Sequence, residues 1–190
     1  MAMTTSSGET IVLDEVCVKA LCSGQVITSP SSAVRELIDN ALDAGCTTVE
    51  ISISDGGLSK IVVRDDGIGI PHHHFDAICK RNVTNKLKQV EDLLTLSTFV
   101  FRGEALNSLA LLSSELFITS RTKNEELGRK YKFNFGLGKM EFIDDKLPVT
   151  VGTTVTVNGL FHQLPVRLLE MKKSTTKEIS IITRTIQGYM

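Results

Sequence analysis

Between residues 30 and 44 the apolar positions Val34, Leu37, Ile38, Ala41 and Leu42 recur at the i, i+3, i+4, i+7, i+8 spacing of one helix face. Ser29 and Pro30 read as an N-cap followed by proline at the first helical position, and Gly45 as the residue that ends the helix. The period then changes to two. Val49, Ile51 and Ile53 alternate with polar residues as on a half-buried strand, Asp55-Gly56-Gly57 is a turn, and Ile61, Val62 and Val63 belong to a second, more buried strand. Residues 103–112 predict another helix, with Leu106, Leu109 and Ala110 on one face. Strand-like segments at 115–121, 128–135, 139–143 and 151–157 follow, and then a basic helix from about residue 166. Residues 11–20 suit either a short strand or a helix, 72–80 a short helix, and 81–102 a long loop without periodicity. The sum is an α+β chain: one mixed, largely antiparallel sheet with helices packed on one face.

Composition changes this picture little. The 190 residues are 42% hydrophobic and 23% charged, enough for a globular core, and the net charge of −1 argues against a chain-wide electrostatic grip on nucleic acid. Cys17, Cys22, Cys46 and Cys79 match neither a zinc ribbon nor a CxxC pair, and are expected as reduced, mostly buried thiols in a cytosolic or nuclear protein. The opening MAMTTSSGETIVLDE has neither a basic n-region nor a long apolar run, so it is no secretory signal; residues 1–10 are expected to be disordered. No apolar run reaches the roughly 18 residues that a membrane-spanning helix needs. His72, His73 and His74 would point about 100° apart on a helix and cannot easily share one ion. Gly136-Leu137-Gly138-Lys139 lies between strands and reads as a hairpin turn.

Candidate chemistry gathers at four places. Glu36, Asn40 and Asp43 form a polar line on the first long helix, away from its apolar stripe. A carboxylate one turn from a carboxamide suits metal-assisted hydrolysis, the first taking a proton from water and the second coordinating Mg²⁺. The same spacing is commoner on a solvated face, so alone it decides nothing. Arg64-Asp65-Asp66-Gly67-Ile68-Gly69-Ile70 leaves a strand; its glycines let the backbone turn tightly and approach a flat ligand. An ionised Asp65 only accepts hydrogen bonds, and so selects a donor edge such as the amino group of adenine. The loop lacks the oxygen ligands of a calcium site and the last glycine of a dinucleotide fingerprint, and the chain has no GxxxxGK[ST]. Phe101-Arg102-Gly103-Glu104 marks a loop becoming a helix, where free amides and the positive helix end attract an anion, with Thr84, Asn85 and Lys86 in the preceding loop. Gly152-Thr153-Thr154 opens a later strand and would bring a hydroxyl toward Glu36 or its water.

These pieces stand in the order of one superfamily. VRELIDNALDAG (34–45), VRDDGIGI (63–70), TNK (84–86), FRGEAL (101–106), GTTVTV (152–157) and LPVR (164–167) resemble the GHKL ATPases, and within them the MutL mismatch-repair proteins. SGQVIT (23–28) and LFHQLPVR (160–167) look like the PMS branch. The resemblance runs from about residue 12 to the end; ExxxN and DxGxG mark only the superfamily, whereas FRGEAL and LPVR are more specific. It implies a Bergerat-type ATP-binding sandwich over residues 11–165, with 166–190 as a connecting helix that begins a second, transducer subdomain.

The resemblance also implies roles. Glu36 would be the general base and Asn40 the Mg²⁺ ligand, with Asp43 in the nucleotide-binding set. Asp65 would bind adenine, Gly67 and Gly69 would leave it room, and Thr153 would support the water network there. Thr84, Asn85, Lys86 and the backbone of Phe101, Arg102, Gly103 and Glu104 would close a lid over the phosphates of ATP. Asp66 stands where the family has Asn, Asn82 and Asn85 replace common aromatic or His and Ser residues, and Val100 replaces a glycine at the lid hinge. A lysine that reaches the γ-phosphate is expected in the second subdomain, so these 190 residues alone are expected to hydrolyse ATP weakly. Implied partners are an MLH-type MutL homologue as heterodimer partner, MutS homologues, and DNA held weakly and without sequence preference near Arg167, Lys172, Lys173 and Lys177; the implied location is nuclear. The competing readings are a paralogue that binds nucleotide or partners without hydrolysis, and another GHKL class, against which FRGEAL argues.

Overall fold

The computed structural model describes residues 15–75, 78, 103–135 and 137–190, with side chains described from Val18 and from Ala105 in the first and third of these stretches. The expectations for residues 1–10, for the second half of 72–80 and for 81–102 lie outside the described residues.

The chain opens with α1 (Glu15–Val26) and α2 (Pro30–Asp43). Ser29 caps α2 as expected. Its hydroxyl accepts from Ser32 N–H (3.1 Å), the Ser32 hydroxyl accepts from Ser29 N–H (3.0 Å), and Pro30 fills N1. Ala44 is the C-cap, and Gly45 follows at φ +68°, the left-handed geometry that ends helices. Val34, Leu37, Ile38 and Ala41 are buried, but Leu42, expected with them, is 47% exposed. At about 100° per residue Leu42 sits near a right angle to the centre of that stripe, too far round to reach the sheet.

Among the described residues six strands follow: β1 (Val49–Ser54), β2 (Lys60–Asp65), β3 (Glu115–Arg121), β4 (Gly128–Asn134), β5 (Lys139–Leu147) and β6 (Gly152–Asn158). Their order in the sheet is β1-β2-β6-β3-β4-β5, and every pairing among the described residues is antiparallel. α3 (Gly103–Leu112) precedes β3, and α4 (Pro165–Lys173) and α5 (Thr175–Gln187) follow β6. His72–His74 forms one 3₁₀ turn, whose next residue, Phe75, is buried and stacks on Tyr131 with ring centroids 3.7 Å apart. Between β4 and β5, Gly138 N–H donates to the Asn134 carbonyl (2.8 Å).

Alternation gives the sheet two unlike faces. Ile61, Val63, Leu116, Ile118, Tyr131, Phe133, Met140, Val155 and Val157 point to the helices and form the core with Val34, Leu37 and Leu109. Arg64, Thr119, Lys130, Lys132, Thr154 and Thr156 occupy the alternate positions of the same strands, and none of them is buried. α5 packs back on α2 and adds Ile182 to the core. Two cysteines depart from the buried expectation: Cys22 is an exposed free thiol on α1 and Cys46 is half-buried, while Cys17 and Cys79 lie outside the described side chains.

Candidate nucleotide site

The inward rows of β2, β6 and β3 change from apolar to polar at one end of the sheet. Asp65 stands opposite Thr153, and Thr153 opposite Ser120, so three polar side chains continue the rows begun by Val63, Val155 and Ile118. They hold one another. Thr153 N–H (3.2 Å) and Gly67 N–H (2.9 Å) both donate to Asp65 Oδ1. The Thr153 and Ser120 hydroxyls lie 3.1 Å apart, and Ser120 also donates to the Gly152 carbonyl (2.9 Å) and accepts from Ile70 N–H (2.8 Å). The resemblance assigns Thr153 to the surroundings of Asp65; here its amide donates to that carboxylate while its hydroxyl meets Ser120, because the pleat turns both side chains inward at paired positions.

Asp65 is half-buried, and burial raises its carboxyl above the ordinary range against the opposing pull of the Gly67 and Thr153 amides. Both of its protein hydrogen bonds fall on Oδ1, so among the described residues Oδ2 is left to face a donor from elsewhere. Gly67 and Gly69 are required by packing as well as by any ligand. A Cβ at Gly67 would meet Ala44 at 2.8 Å, and one at Gly69, where φ is +74°, would lie 2.2 Å from the Arg121 carbonyl oxygen.

A staple joins this loop to the end of α2. The Asp66 carboxylate accepts from the Thr47 hydroxyl (2.6 Å), Thr47 N–H (2.7 Å) and Thr48 N–H (2.9 Å), and these bonds pull its pKa down to about 2. Ile68 N–H donates to the Ala44 carbonyl (3.1 Å). The C-terminal half of α2 is thereby drawn to the strand end that carries Asp65. Glu36 and Asn40 are half-buried on α2, and Asp43, one turn further along their line, is exposed. Asn40 Nδ2 is buried and has no hydrogen-bond partner among the described residues. Such a group is costly unless something arrives to satisfy it. Assignment of the two amide heads is interchangeable, so the same position can present Oδ1 to a cation or Nδ2 to a phosphate oxygen.

Gly103 opens α3 as anticipated, but Thr84, Asn85, Lys86, Phe101 and Arg102, and the side chain of Glu104, lie outside the described residues. Arg167 is not a free basic group: its guanidinium donates to the Gly24 carbonyl and lies 5.6 Å from the Phe161 ring. Lys172, Lys173 and Lys177 remain exposed. Ser120 and Thr47 were missed. Ser120 had a legible signal, a hydroxyl on the inward set of a strand otherwise holding Leu116 and Ile118; Thr47 had none.

Residues 27–145 match the family model for histidine kinase-, DNA gyrase B- and HSP90-like ATPases, and the chain belongs to that ATPase family. Among curated proteins it is 42% identical over 179 residues to the mismatch repair endonuclease pms1 of Dictyostelium discoideum, covering 93% of this chain and 17% of that protein. It is 41% identical to the DNA mismatch repair protein PMS1 of Arabidopsis thaliana over 98% of this chain and 20% of that protein, and 38% identical to the MutL of Thermodesulfovibrio yellowstonii over 94% and 32%. The fold superposes on the crystal structure of an N-terminal domain of a DNA repair protein with a TM-score of 0.77 at 33% identity, covering 94% of this chain and 51% of that one. For the Aquifex aeolicus MutL ATPase domain complexed with ADP the TM-score is 0.58 at 28% identity, over 85% and 54%. Within its family, then, the chain is an N-terminal ATPase domain of the MutL and PMS kind, spanning 17 to 32% of the length of the curated relatives named here.

Proposed function

We propose that this domain binds ATP with Mg²⁺ and hydrolyses it in DNA mismatch repair. Asp65 carries the reading: an acceptor-only group at a polar sheet end, with Oδ1 fixed by two amides and Oδ2 turned to a donor. The exocyclic amine of adenine is such a donor. A purely structural staple would need only Oδ1, and would not call for a half-buried carboxylate at the end of an apolar row.

Asn40 would hold Mg²⁺ through Oδ1, and its buried Nδ2, without a hydrogen-bond partner among the described residues, would donate to a phosphate oxygen; the ion would neutralise phosphate charge and orient the terminal phosphoryl group. Glu36, one turn before it on the same face of α2, would take the proton of the attacking water. Gly67, Gly69, Thr153 and Ser120 hold the base pocket, while Thr84, Asn85, Lys86 and residues 101–104 would close over the phosphates. The proposal includes ATP-gated closure of residues 81–102 and pairing of N-terminal regions, an MLH-type partner, MutS homologues, weak DNA contact and a nuclear location. The PMS-type relatives support these, and a slowing of hydrogen exchange in 81–102 with a non-hydrolysable ATP analogue checks the closure.

The direct test is nucleotide titration. Asp65→Asn exchanges a charged acceptor for a neutral amide, which costs about 1.5–3 kcal/mol, roughly ten- to a hundredfold in ATP affinity. Coincident curves for parent and variant would remove Asp65 from the site.

A further inference from the structure

α2 has three faces, and the nucleotide uses only one of them. At about 100° per residue, Val34, Leu37, Ile38 and Ala41 face the sheet, Glu36, Asn40 and Asp43 face the proposed ATP site, and Ser31, Arg35 and Asp39 make a third line. The third line belongs to α5. Glu178 on α5 is 7% exposed, and its Oε2 accepts from Ser31 N–H (3.2 Å), one of the unpaired amides in the first turn of α2. At the far end the Tyr189 hydroxyl donates to Asp39 Oδ1. Both contacts climb the two segments in the same direction, so α5 runs alongside α2 and grips it at Ser31, and Tyr189, two residues past the end of α5, grips it again at Asp39. Between the grips Ile182 is buried and Ile186 packs on the core; with Glu178 they stand four residues apart on one face of α5, and Tyr189 lies two residues past its end. Below the first grip the Thr175 methyl fills the space where Gly56 has no side chain, only 2.5 Å from where a Cβ would stand.

We infer that α5 clamps the rotation of α2, and that Glu178 and Tyr189 are positioning residues for Asn40 and Glu36. A carboxylate is a costly way to satisfy one buried amide, since its charge must leave water. At a helix N-terminus that charge also meets the positive end of the dipole, which fixes the helix axis as well as one hydrogen bond. Asp39 and Asn40 are neighbours, so the torque at Tyr189 is delivered one residue from the metal ligand. Asp65, by contrast, is held by β2, β6 and the 66–70 loop, and neither polar grip, at Ser31 or at Asp39, falls on these. The metal half of the site, carried on α2 itself, therefore depends on α5 more directly than the adenine half, which meets α2 only through the Asp66 and Ile68 contacts at its end.

This inference rests on the ATP·Mg²⁺ reading, and one measurement separates the two. ATP affinity is titrated with Mg²⁺ and again with a chelator, and the ratio isolates the metal-borne part of binding. Glu178→Ala should lower that ratio by about ten- to a hundredfold, the range for lost outer-shell support of a metal ligand, and leave the chelator value near the parent's. Glu178→Gln keeps an acceptor for Ser31 N–H and should restore the ratio to within about fivefold, the remainder being the lost charge on the dipole. Tyr189→Phe, which removes one hydroxyl from an exposed helix end, should lower the ratio without lowering the melting temperature. If Glu178→Ala does not fold, Glu178→Gln and Tyr189→Phe decide. A ratio unchanged in the variants, including a parallel fall of both affinities, overturns the clamp whatever happens to stability. A parent whose ratio is one overturns the metal site itself, and the clamp with it.

Discussion

Asp65 and Asp66 are chain neighbours with opposite tasks, and the difference is written in where their pKa values go. Asp66 is exposed and is drawn down to about 2 by the Thr47 hydroxyl and then the Thr48 and Thr47 amides. A depressed carboxyl contributes stability that is present above its unfolded value of 3.8 and is lost as pH falls toward 2. Asp65 is raised, chiefly by burial. A raised carboxyl favours the fold at low pH, and that contribution is lost as pH rises through its folded value, so the ionised group opposes folding at neutral pH. Two outcomes follow for the ligand-free domain. Asp66→Asn should flatten the part of the pH–stability curve between about pH 4 and 2, read by urea unfolding at several pH values. Asp65→Asn should unfold no lower than the parent at pH 7; a clearly lower midpoint would mean that the carboxylate is a structural staple. Asp65, Gly67 and Gly69 were legible in the sequence because a strand, an acid and two spaced glycines form a local pattern. The Asp66 staple was not, since its partners Thr47 and Thr48 lie across the loop and only folding brings them near.

Elements that announce themselves at both ends were read correctly. α2 has a serine cap, a proline at N1 and a closing glycine, and its observed span, Pro30–Asp43, falls within one residue of the expected one. Ser29→Ala removes the acceptor for Ser32 N–H and should lower stability by about 1 kcal/mol in denaturant unfolding. An unchanged midpoint would show that water replaces the cap. The strands were legible from their period of two, including β3 with its inward Leu116 and Ile118. β5 was underestimated, ending at Leu147 instead of residue 143, because a bulge near Gly128 and Lys130 shifts the register and breaks the alternation that marks a strand. The division of the last helix into α4 and α5 at Ser174 was also missed; no proline or glycine marks it. α1 stayed ambiguous, since it leaves Val18, Leu21 and Val26 substantially exposed and so lacks a clean apolar stripe. The clamp was invisible for a different reason: a buried glutamate on a basic helix looks like one more surface charge until its distant partner is known.

At the scale of the whole molecule, activity is a matter of how many charges surround the terminal phosphate. The resemblance assigns one of them to a lysine of a second subdomain. Removing one electrostatic stabiliser of a transition state costs about 10²–10³ in rate. The 190 residues taken alone should therefore bind ATP yet turn it over at least about a hundredfold more slowly than a chain extended to the length of the solved ATPase domains. In the extended chain Glu36→Ala should abolish turnover and leave binding nearly unchanged; equal turnover in the short and extended chains would refute the missing-charge argument. The strand order carries one more consequence. β3, β4 and β5 are consecutive hairpins whose pairing closes short loops, whereas β6 must insert between β2 and β3, joining Asp65 to a partner 88 residues away. Closing so long a loop is entropically expensive, and contacts of this kind form late. On the ribosome the central ladder has no second side until residue 158 has emerged, and until then β2 and β3 expose unpaired edges. At the proposed site ATP would recognise only the finished ladder. The nucleotide would then act as a ligand of the native state alone, shifting the folding equilibrium by mass action and sealing the strand that arrives last.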